Sequence, residues 1–531
     1  METSAKRSYG SGRFYVEQPD YNSSDNTSQA TAYSSVQTLE QHYTLESSSR
    51  TNSFPNHNNS SSTANFSPDD SPASQLESNS YALISQHSLK IINGSFENDS
   101  CLTNDFDDLS LVIREFETAM QGPDTEIPGI YDTLVPLESN QVLSEAEKWK
   151  LTMETVSRGD LKGMLYACAK AMDANDMVTF EYLMSEMRKV VSISGNPVQR
   201  IGAYMLESLV ARMAGSGSAI YKALKCREPT GNELLSYMHL LYEICPYFKF
   251  GYLSANGAIA EAMKEENRIH IIDFQINQGS QWISLIQALA GRPGGPPELR
   301  ITGFDDSTSN FARGGGLDIV GKRLARLAES CQVPFEFHAA GVAPSKAQLQ
   351  DLKLRPGEAI AVNFAMMLHH IPDESVDSHN PRDRLLRLAK HLCPKVVTLV
   401  EQESNTNRVP FVPRFAETLN HYLAIFESID AVLPREHKER INVEQHCLAR
   451  ELVNLVACEG AERVERHEPL RVWRSRCAMA GFEPYPLSSF VNSTIKNLLE
   501  KYCGNYTLEE RDGALYLGWM NLPLVASCAW R

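Results

Sequence analysis

The stretch Ile269–Trp282 constrains the fold more than any other: Ile-His-Ile-Ile-Asp-Phe-Gln-Ile-Asn-Gln-Gly-Ser-Gln-Trp. Ile269, Ile271 and Ile272 are β-branched, which suits a buried strand. Asp273 stands where that strand should end. Gly279 supplies a permissive backbone position, and Trp282 to Leu289 carries apolar residues at helical spacing. Strand, acid, glycine turn and helix are how a Rossmann-type α/β sheet opens, with a crevice at the carboxyl end of the strand.

The glycine fingerprint of that crevice is incomplete. A dinucleotide site wants G-x-G-x-x-G, so that the backbone can approach a pyrophosphate. Here Phe274, Gln275, Ile276, Asn277 and Gln278 fill the loop, and only Gly279 lacks a side chain. The topology is therefore better marked than any ligand. Asp273 has two readings: a structural acid that caps the next helix or bonds loop amides, or a ligand contact beside Gly279. Asp305, after the second strand, stands where such folds place a ribose-binding acid. With Asp306 and Ser307 next to it, it reads equally as a helix cap.

Alternation continues downstream. Strands are expected at Ile269–Phe274, Leu299–Phe304, Phe335–Ala339, Ala359–Phe364 and Val396–Glu401. Helices fit between them at Trp282–Ala290, Leu317–Cys331, Ala347–Leu352 and Arg382–Leu392. Repeated β-α units of this length imply a mostly parallel sheet covered on both faces. Ahead of it, residues 144–256 read as helical. Leu161, Met164, Leu165, Cys168 and Met172 make one apolar face, and Phe180, Leu183, Met187 and Val190 another. That block is either a cap on the α/β core or a helical interaction surface.

Beyond the alternation, Phe415–Leu433 and Val443–Cys458 read as helices. Arg463-Val464-Glu465-Arg466-His467-Glu468 is a dense charge run. It is either a solvated face, with ion pairs each worth under about 1 kcal/mol, or a buried Arg–Glu network fixing the tail against the sheet. The tail alternates apolar residues around Leu515, Leu517, Trp519, Leu522 and Val525. A Trp at 530, one residue from the end, implies a docked terminus.

Residues 1–143 differ in kind. The first 140 hold 6 Lys/Arg against 20 Asp/Glu, a charge of −14 that leaves only −2 of the total −16 for the rest. Roughly a quarter of the first hundred residues are Ser. Such a composition cannot bury enough apolar surface to offset the entropy of ordering, so disorder is expected. One island interrupts it. Leu109, Val112, Ile113, Phe116 and Met120 recur at helical spacing behind Asp105, Asp107 and Asp108, as a helix over 107–120 that folds on a partner or packs on its own domain. Neither part has the basic footprint of a direct nucleic-acid binder.

Several chemistries lack their residues. There is no G-x-S-x-G elbow, P-loop or H-E-x-x-H, and the eleven cysteines form no C-x-x-C pair. Scattered thiols of this kind suit a reducing compartment, and no Cys/His spacing predicts zinc, so no metal is expected. His369-His370 follows an apolar strand and could act as a base, though no nucleophile neighbours it in sequence. No apolar run is long enough for a membrane span.

These landmarks, in this order, resemble the plant GRAS family of transcriptional regulators over residues 144–531. Leu165-Tyr166-Ala167-Cys168-Ala169 is similar to the start of the family's first leucine-rich region, and Leu317 to Leu392 to its second. Ile269, His270, Ile271, Ile272 and Asp273 match the V-H-I-I-D core, with Ile for Val at the first place. Pro413-Arg414-Phe415 with Glu417 sits where the P-F-Y-R-E block belongs. Arg463, Glu465 and Arg466 fall in its downstream R-V-E-R. Trp473, Trp519 and Cys528-Ala529-Trp530 resemble the closing S-A-W motif, with Cys for Ser. The helix near 107–120 and Gly122-Pro123-Asp124 resemble the branch that holds the phytochrome-A signal transducer and the chitin-inducible gibberellin-responsive proteins.

The resemblance implies a helical cap on a core like that of S-adenosylmethionine-dependent methyltransferases, with no cofactor and no catalytic residues. It implies a nuclear regulator in hormone, light or defence signalling, with a cytoplasmic fraction as a further expectation. Its partners would be transcription factors and other GRAS proteins, in homo- or heterodimers, with DNA contacted indirectly and no membrane contact.

Overall fold

Strand β1, Arg268–Asp273, is buried from its second residue onward and lies at the centre of the sheet's parallel part. The computed structural model describes residues 144–305 and 316–531. The expectations for residues 1–143, the helix over 107–120 among them, lie outside the described residues, as do Asp306 and Ser307.

On one side β1 pairs in parallel with β2, Glu298–Phe304, which pairs with β3, Phe335–Ala340. On the other it pairs with β4, Ala359–Ala365, and β4 with β5, Val396–Gln402, again in parallel. The sheet is completed by antiparallel strands of the tail: β6, Pro484–Tyr485; β7, Tyr506–Arg511; β8, Ala514–Trp519; and β9, Leu522–Trp530. Its order is β3-β2-β1-β4-β5-β9-β8-β7, with β6 beside β9. The chain reverses its winding between β1 and β4, so this is the Rossmann-like, mostly parallel sheet that the alternation implied. Each of the five expected parallel strands is found within one residue at either end.

Period-two alternation sends side chains to two cores. Ile269, Ile271, Leu299, Ile301, Val396 and Val400 face one, and Ile272, Val362, Phe364, Val397 and Leu399 the other. The first is covered by α7, Tyr247–Ala262, and α8, Ser280–Ala290. The second is covered by α10, Pro381–His391, and α14, Leu470–Met479. Helix α9, Leu317–Ser330, packs on β3, and α15, Ser489–Leu499, on α7.

The helical region opens with α1, Glu145–Ser157, where Ser144 and Glu147 form a capping box. It continues through α2, Leu161–Asp173; α3, Met177–Arg188; α4, Pro197–Met213; the short α5, Ile220–Ala223; and α6, Gly231–Ile244. Asn196 with Gln199, and Thr230 with Glu233, cap α4 and α6 in the same way. The expected end near Asn256 is corrected: α7 runs on to Ala262, so a boundary at 256/257 falls inside a helix. Asn256-Gly257 reads as a breaker, yet a Cβ on Gly257 would sit 2.7 Å from Val491 Cγ2. The glycine is there for close packing, not for a turn.

The cap is built from two separated stretches. Helices α11, Phe411–Asp430; α12, Lys438–Val443; and α13, Ala449–Ala457, leave the core: α11 packs on α2 and α4, α13 on α4, and α12 on α6. Arg200 of α4 clamps them. Its guanidinium is fully buried and donates to Glu444 at 3.1 Å, Asp430 at 2.6 Å and the Phe426 carbonyl at 3.1 Å.

Two further expectations are corrected. Ala347–Leu352 is not an α-helix but the end of one 3-10 turn, Pro344–Lys346, and another, Leu349–Leu352. Lys353, at φ 50, stops it in a left-handed conformation, and so short a run gains too few hydrogen bonds to nucleate a helix. The helix expected over Val443–Cys458 contains a π-helical turn, Glu444–Leu448, between α12 and α13.

Candidate functional site

Register places Asp273 between Gly303 of β2 and Asn363 of β4, at the carboxyl edge of the sheet. Its carboxylate is buried and fully engaged. Trp282 Nε1 donates to Oδ2 at 2.8 Å, and the Gln275 amide and Asn363 Nδ2 donate to Oδ1, each at 3.2 Å. Burial pushes the carboxyl up to about 6, against the lowering effect of those hydrogen bonds. The network continues into the sheet: Asn363 Oδ1 accepts from Thr398 Oγ1 at 2.8 Å and Gln281 Nε2 at 3.1 Å. Asp273 thus bonds a loop amide, as one reading held, and anchors the indole of α8 as well.

The crevice above Asp273 is filled by the loop's own side chains. Phe274 is fully buried, with ring centroids 5.2 Å from Phe364 and 4.9 Å from Phe304. Ile276 is also buried, and its Cδ1 would lie 2.8 Å from a Cβ on Gly303. Gly279 adopts φ +70 at the start of α8, and a Cβ there would come within 2.9 Å of Val320 Cγ1. That glycine serves the packing of α8 on α9. Asp305 is half-buried just past β2, with a partner of its own.

The remaining motif residues are interior. Ile269, Ile271 and Ile272 are core. His270, also fully buried, meets Thr302 Oγ1 at 2.8 Å and the Arg300 guanidinium at 3.0 Å. Burial holds its imidazole down at about 4. Trp473 sits under the Arg382 guanidinium at 5.1 Å. Trp519 donates to Glu427 of α11 at 3.2 Å, joining β8 to the cap. Trp530 is buried on β9 between Val397 and Pro484.

The charge run takes the buried alternative. From Arg463 to Glu468, every charged residue and His467 is buried at the carboxyl ends of β4 and β5. Arg463 donates to the Thr406 and Asn407 carbonyls at 2.7 and 3.0 Å. Glu468 accepts from Arg476 at 2.7 Å and from Asn407 at 2.9 Å, and pairs with Arg382 at 3.1 Å. Asp373 also accepts from Arg476 and Asn407, at 3.3 and 2.6 Å. The network therefore ties the loops after β4 and β5 to the segment leaving the cap, rather than fixing the tail alone.

His369 and His370 lie on a 3-10 turn just after β4, against this network. Glu401 at the end of β5 accepts the Met367 and Leu368 amides at 3.1 and 2.7 Å and bonds His369 Nδ1. Glu465 faces three imidazoles: His369 and His467 at 3.4 Å, and His370 at 3.3 Å. Burial pushes the Glu465 carboxyl up, but His370, His467 and His369 together hold it well below the usual carboxylate range. Burial holds His369 down at about 4. A small cavity of about 60 Å³ between cap and sheet reaches His369, His370, Gln402, His421 and Glu451. Glu401 escaped sequence reasoning, and Glu465 reads as part of the charge run but not as a partner of His369 and His370. Glu401 had a signal, an acid closing an apolar strand as Asp273 does. Glu465, 95 residues beyond His370, had none.

Comparison with known proteins agrees with this architecture. A model of the GRAS domain family matches residues 161–531. Scarecrow-like protein 5 of Arabidopsis thaliana is 64% identical over 424 residues, covering 80% of this chain and 70% of the relative. Scarecrow-like transcription factor PAT1 of the same plant is 63% identical over 433 residues, covering 81% and 88%. Chitin-inducible gibberellin-responsive protein 2 of Oryza sativa subsp. japonica is 57% identical over 488 residues, covering 92% and 87%. The crystal structure of SCL7 in Oryza sativa matches with a TM-score of 0.63 at 35% identity, covering 70% of this chain and 99% of that one.

Proposed function

This chain belongs to the GRAS domain family, and from that premise we propose that it regulates transcription in plant signalling through protein contacts rather than catalysis. The observation that carries the reading is the state of the Rossmann crevice. Phe274 and Ile276 fill it, and Asp273 spends its carboxylate on Trp282, Asn363 and Gln275. A core so used is a scaffold: it presents loops and a helical cap without a chamber for a nucleotide. Helix α1 exposes Trp149 and, one turn on, Met153, apolar side chains of the kind that partner proteins cover. The net charge of −16 favours contacts with proteins over direct contacts with phosphate.

The partners in this reading are transcription factors and other GRAS proteins, and the setting is the nucleus. The signals are hormonal, light- or defence-related, in keeping with a relative named as gibberellin-responsive. No described helix is long and apolar enough to cross a membrane. The full chain tethered to a reporter promoter is expected to change transcription, and pull-downs from plant nuclei are expected to recover transcription factors. An unchanged reporter together with no such partner would contradict the reading.

A further inference from the structure

The histidine–carboxylate cluster after β4 and β5 has a geometry that the scaffold reading does not use. We propose that His369, His370 and Glu465 form a binding site for one divalent transition-metal ion of the zinc class, with its fourth position open to water. In the described residues this is the group of side chains whose ligand atoms converge: those of His369, His370 and Glu465 lie within 4.8 Å of one another.

Spacing supports the assignment. A tetrahedral ion with ligands at about 2.0–2.1 Å sets those ligand atoms roughly 3.3–3.4 Å apart. Glu465 Oε2 lies 3.4 Å from His369 Nε2 and Glu465 Oε1 lies 3.3 Å from His370 Nε2, so each ring faces one oxygen of the carboxylate at that spacing. Glu465 Oε2 and His467 Nε2 are both buried without a hydrogen-bond partner. A fully buried carboxylate oxygen without a hydrogen-bond donor is costly, and an ion would satisfy it.

The surroundings fit as well. Metal-bound histidines usually donate their other N–H to a carboxylate or hydroxyl, which fixes the tautomer and the ring. Glu401 holds His369 Nδ1, so His369 Nε2 is turned towards Glu465. Glu401 is itself fixed by the Met367 and Leu368 amides. Among the described residues neither Glu401 nor Glu465 is ion-paired with a lysine or arginine. The groups directly facing both acids are imidazoles, and a divalent cation would add positive charge there. Mixed nitrogen and oxygen donors favour zinc-class ions over calcium or magnesium, which prefer oxygen alone. The neighbouring cavity has room for a few waters and gives an entry path. A bound ion would cross-link the loop after β4 to the segment leaving α13. The expectation of no metal rested on local spacing, and the fold joins ligands that are distant in sequence.

The test is a titration of Co2+, then Zn2+, into the chelator-treated full chain. One equivalent of cobalt is expected to give the intense visible absorption of a tetrahedral site, displaced by one equivalent of zinc. His370→Ala, at a half-buried position, should weaken binding at least tenfold; Glu401→Gln, at a positioning residue, should weaken it roughly 10–100-fold. Cys393→Ser, at an exposed thiol, should leave it unchanged. Two results would overturn the site: no cobalt spectrum and no zinc heat at millimolar ion in the unaltered chain, or undiminished binding in His370→Ala.

Discussion

Replacing Arg382 with leucine is expected to destabilise the domain by about 3–5 kcal/mol, the cost of breaking a buried ion cluster by removing one partner. Arg382 is fully buried on α10. Its guanidinium pairs with Glu468 at 3.1 Å and Asp373 at 3.7 Å, donates to the Ile371 carbonyl at 3.0 Å and stacks on Trp473. Leucine keeps most of the volume but leaves two acids sharing one nearby arginine, Arg476, in a region shut off from water. Lysine should rescue only in part, because an ammonium cannot reproduce the planar stack and the forked donors. The contrast is Arg355→Ala: that residue pairs with Glu336 on the surface, both side chains about half exposed, so the loss should be far smaller. Denaturant unfolding of the two variants measures the difference. Equal small shifts would mean that the buried network contributes no more than a surface pair.

Trp530→Ala is expected to cost about 3–5 kcal/mol through the cavity it opens. The indole is 3% exposed on β9, with its N–H 3.2 Å from Cys528 Sγ. Its strand neighbours are Val397 of β5 and Pro484 of β6, so the lost volume lies where the tail joins the parallel sheet. Arg531→Ala next door removes only an exposed side chain, 62% accessible and 3.7 Å from Glu483, and should change little. An unchanged unfolding midpoint in Trp530→Ala would show that the terminus does not close the core.

What could be read from sequence follows from how local each signal is. The parallel strands were legible because strands buried on both faces are written as nearly continuous apolar runs, such as Ala359–Phe364 with Asn363 and Val396–Val400 with Thr398 as the one polar residue in each. The start of the helical region was legible at residue 144, where the Ser144 side chain accepts the Glu147 amide of its own first turn. The end of α7 was misread because Gly257 serves a contact with Val491, more than two hundred residues away in sequence. The return of α11–α13 to the cap depends on Arg200 meeting Asp430 and Glu444, which no local pattern encodes. The charge run left its two readings open for the same reason: burial of Glu465 and Glu468 is decided by loops after β4 and β5. In the crevice, Phe274 and Ile276 already stood where a fingerprint wants glycine, so its closure was the most legible feature of the site. The histidine cluster was the least, since only its first half is contiguous.

The central claim is that this Rossmann-like core is a scaffold with its ligand crevice closed by Phe274 and Ile276. Calorimetric titration of S-adenosylmethionine, and then of adenine dinucleotides, into the full chain tests it most directly. The predicted result is no heat of binding and no thermal stabilisation at millimolar ligand. Saturable binding that is lost in Asp273→Asn would contradict it, and would make the carboxyl end of β1 a working ligand site.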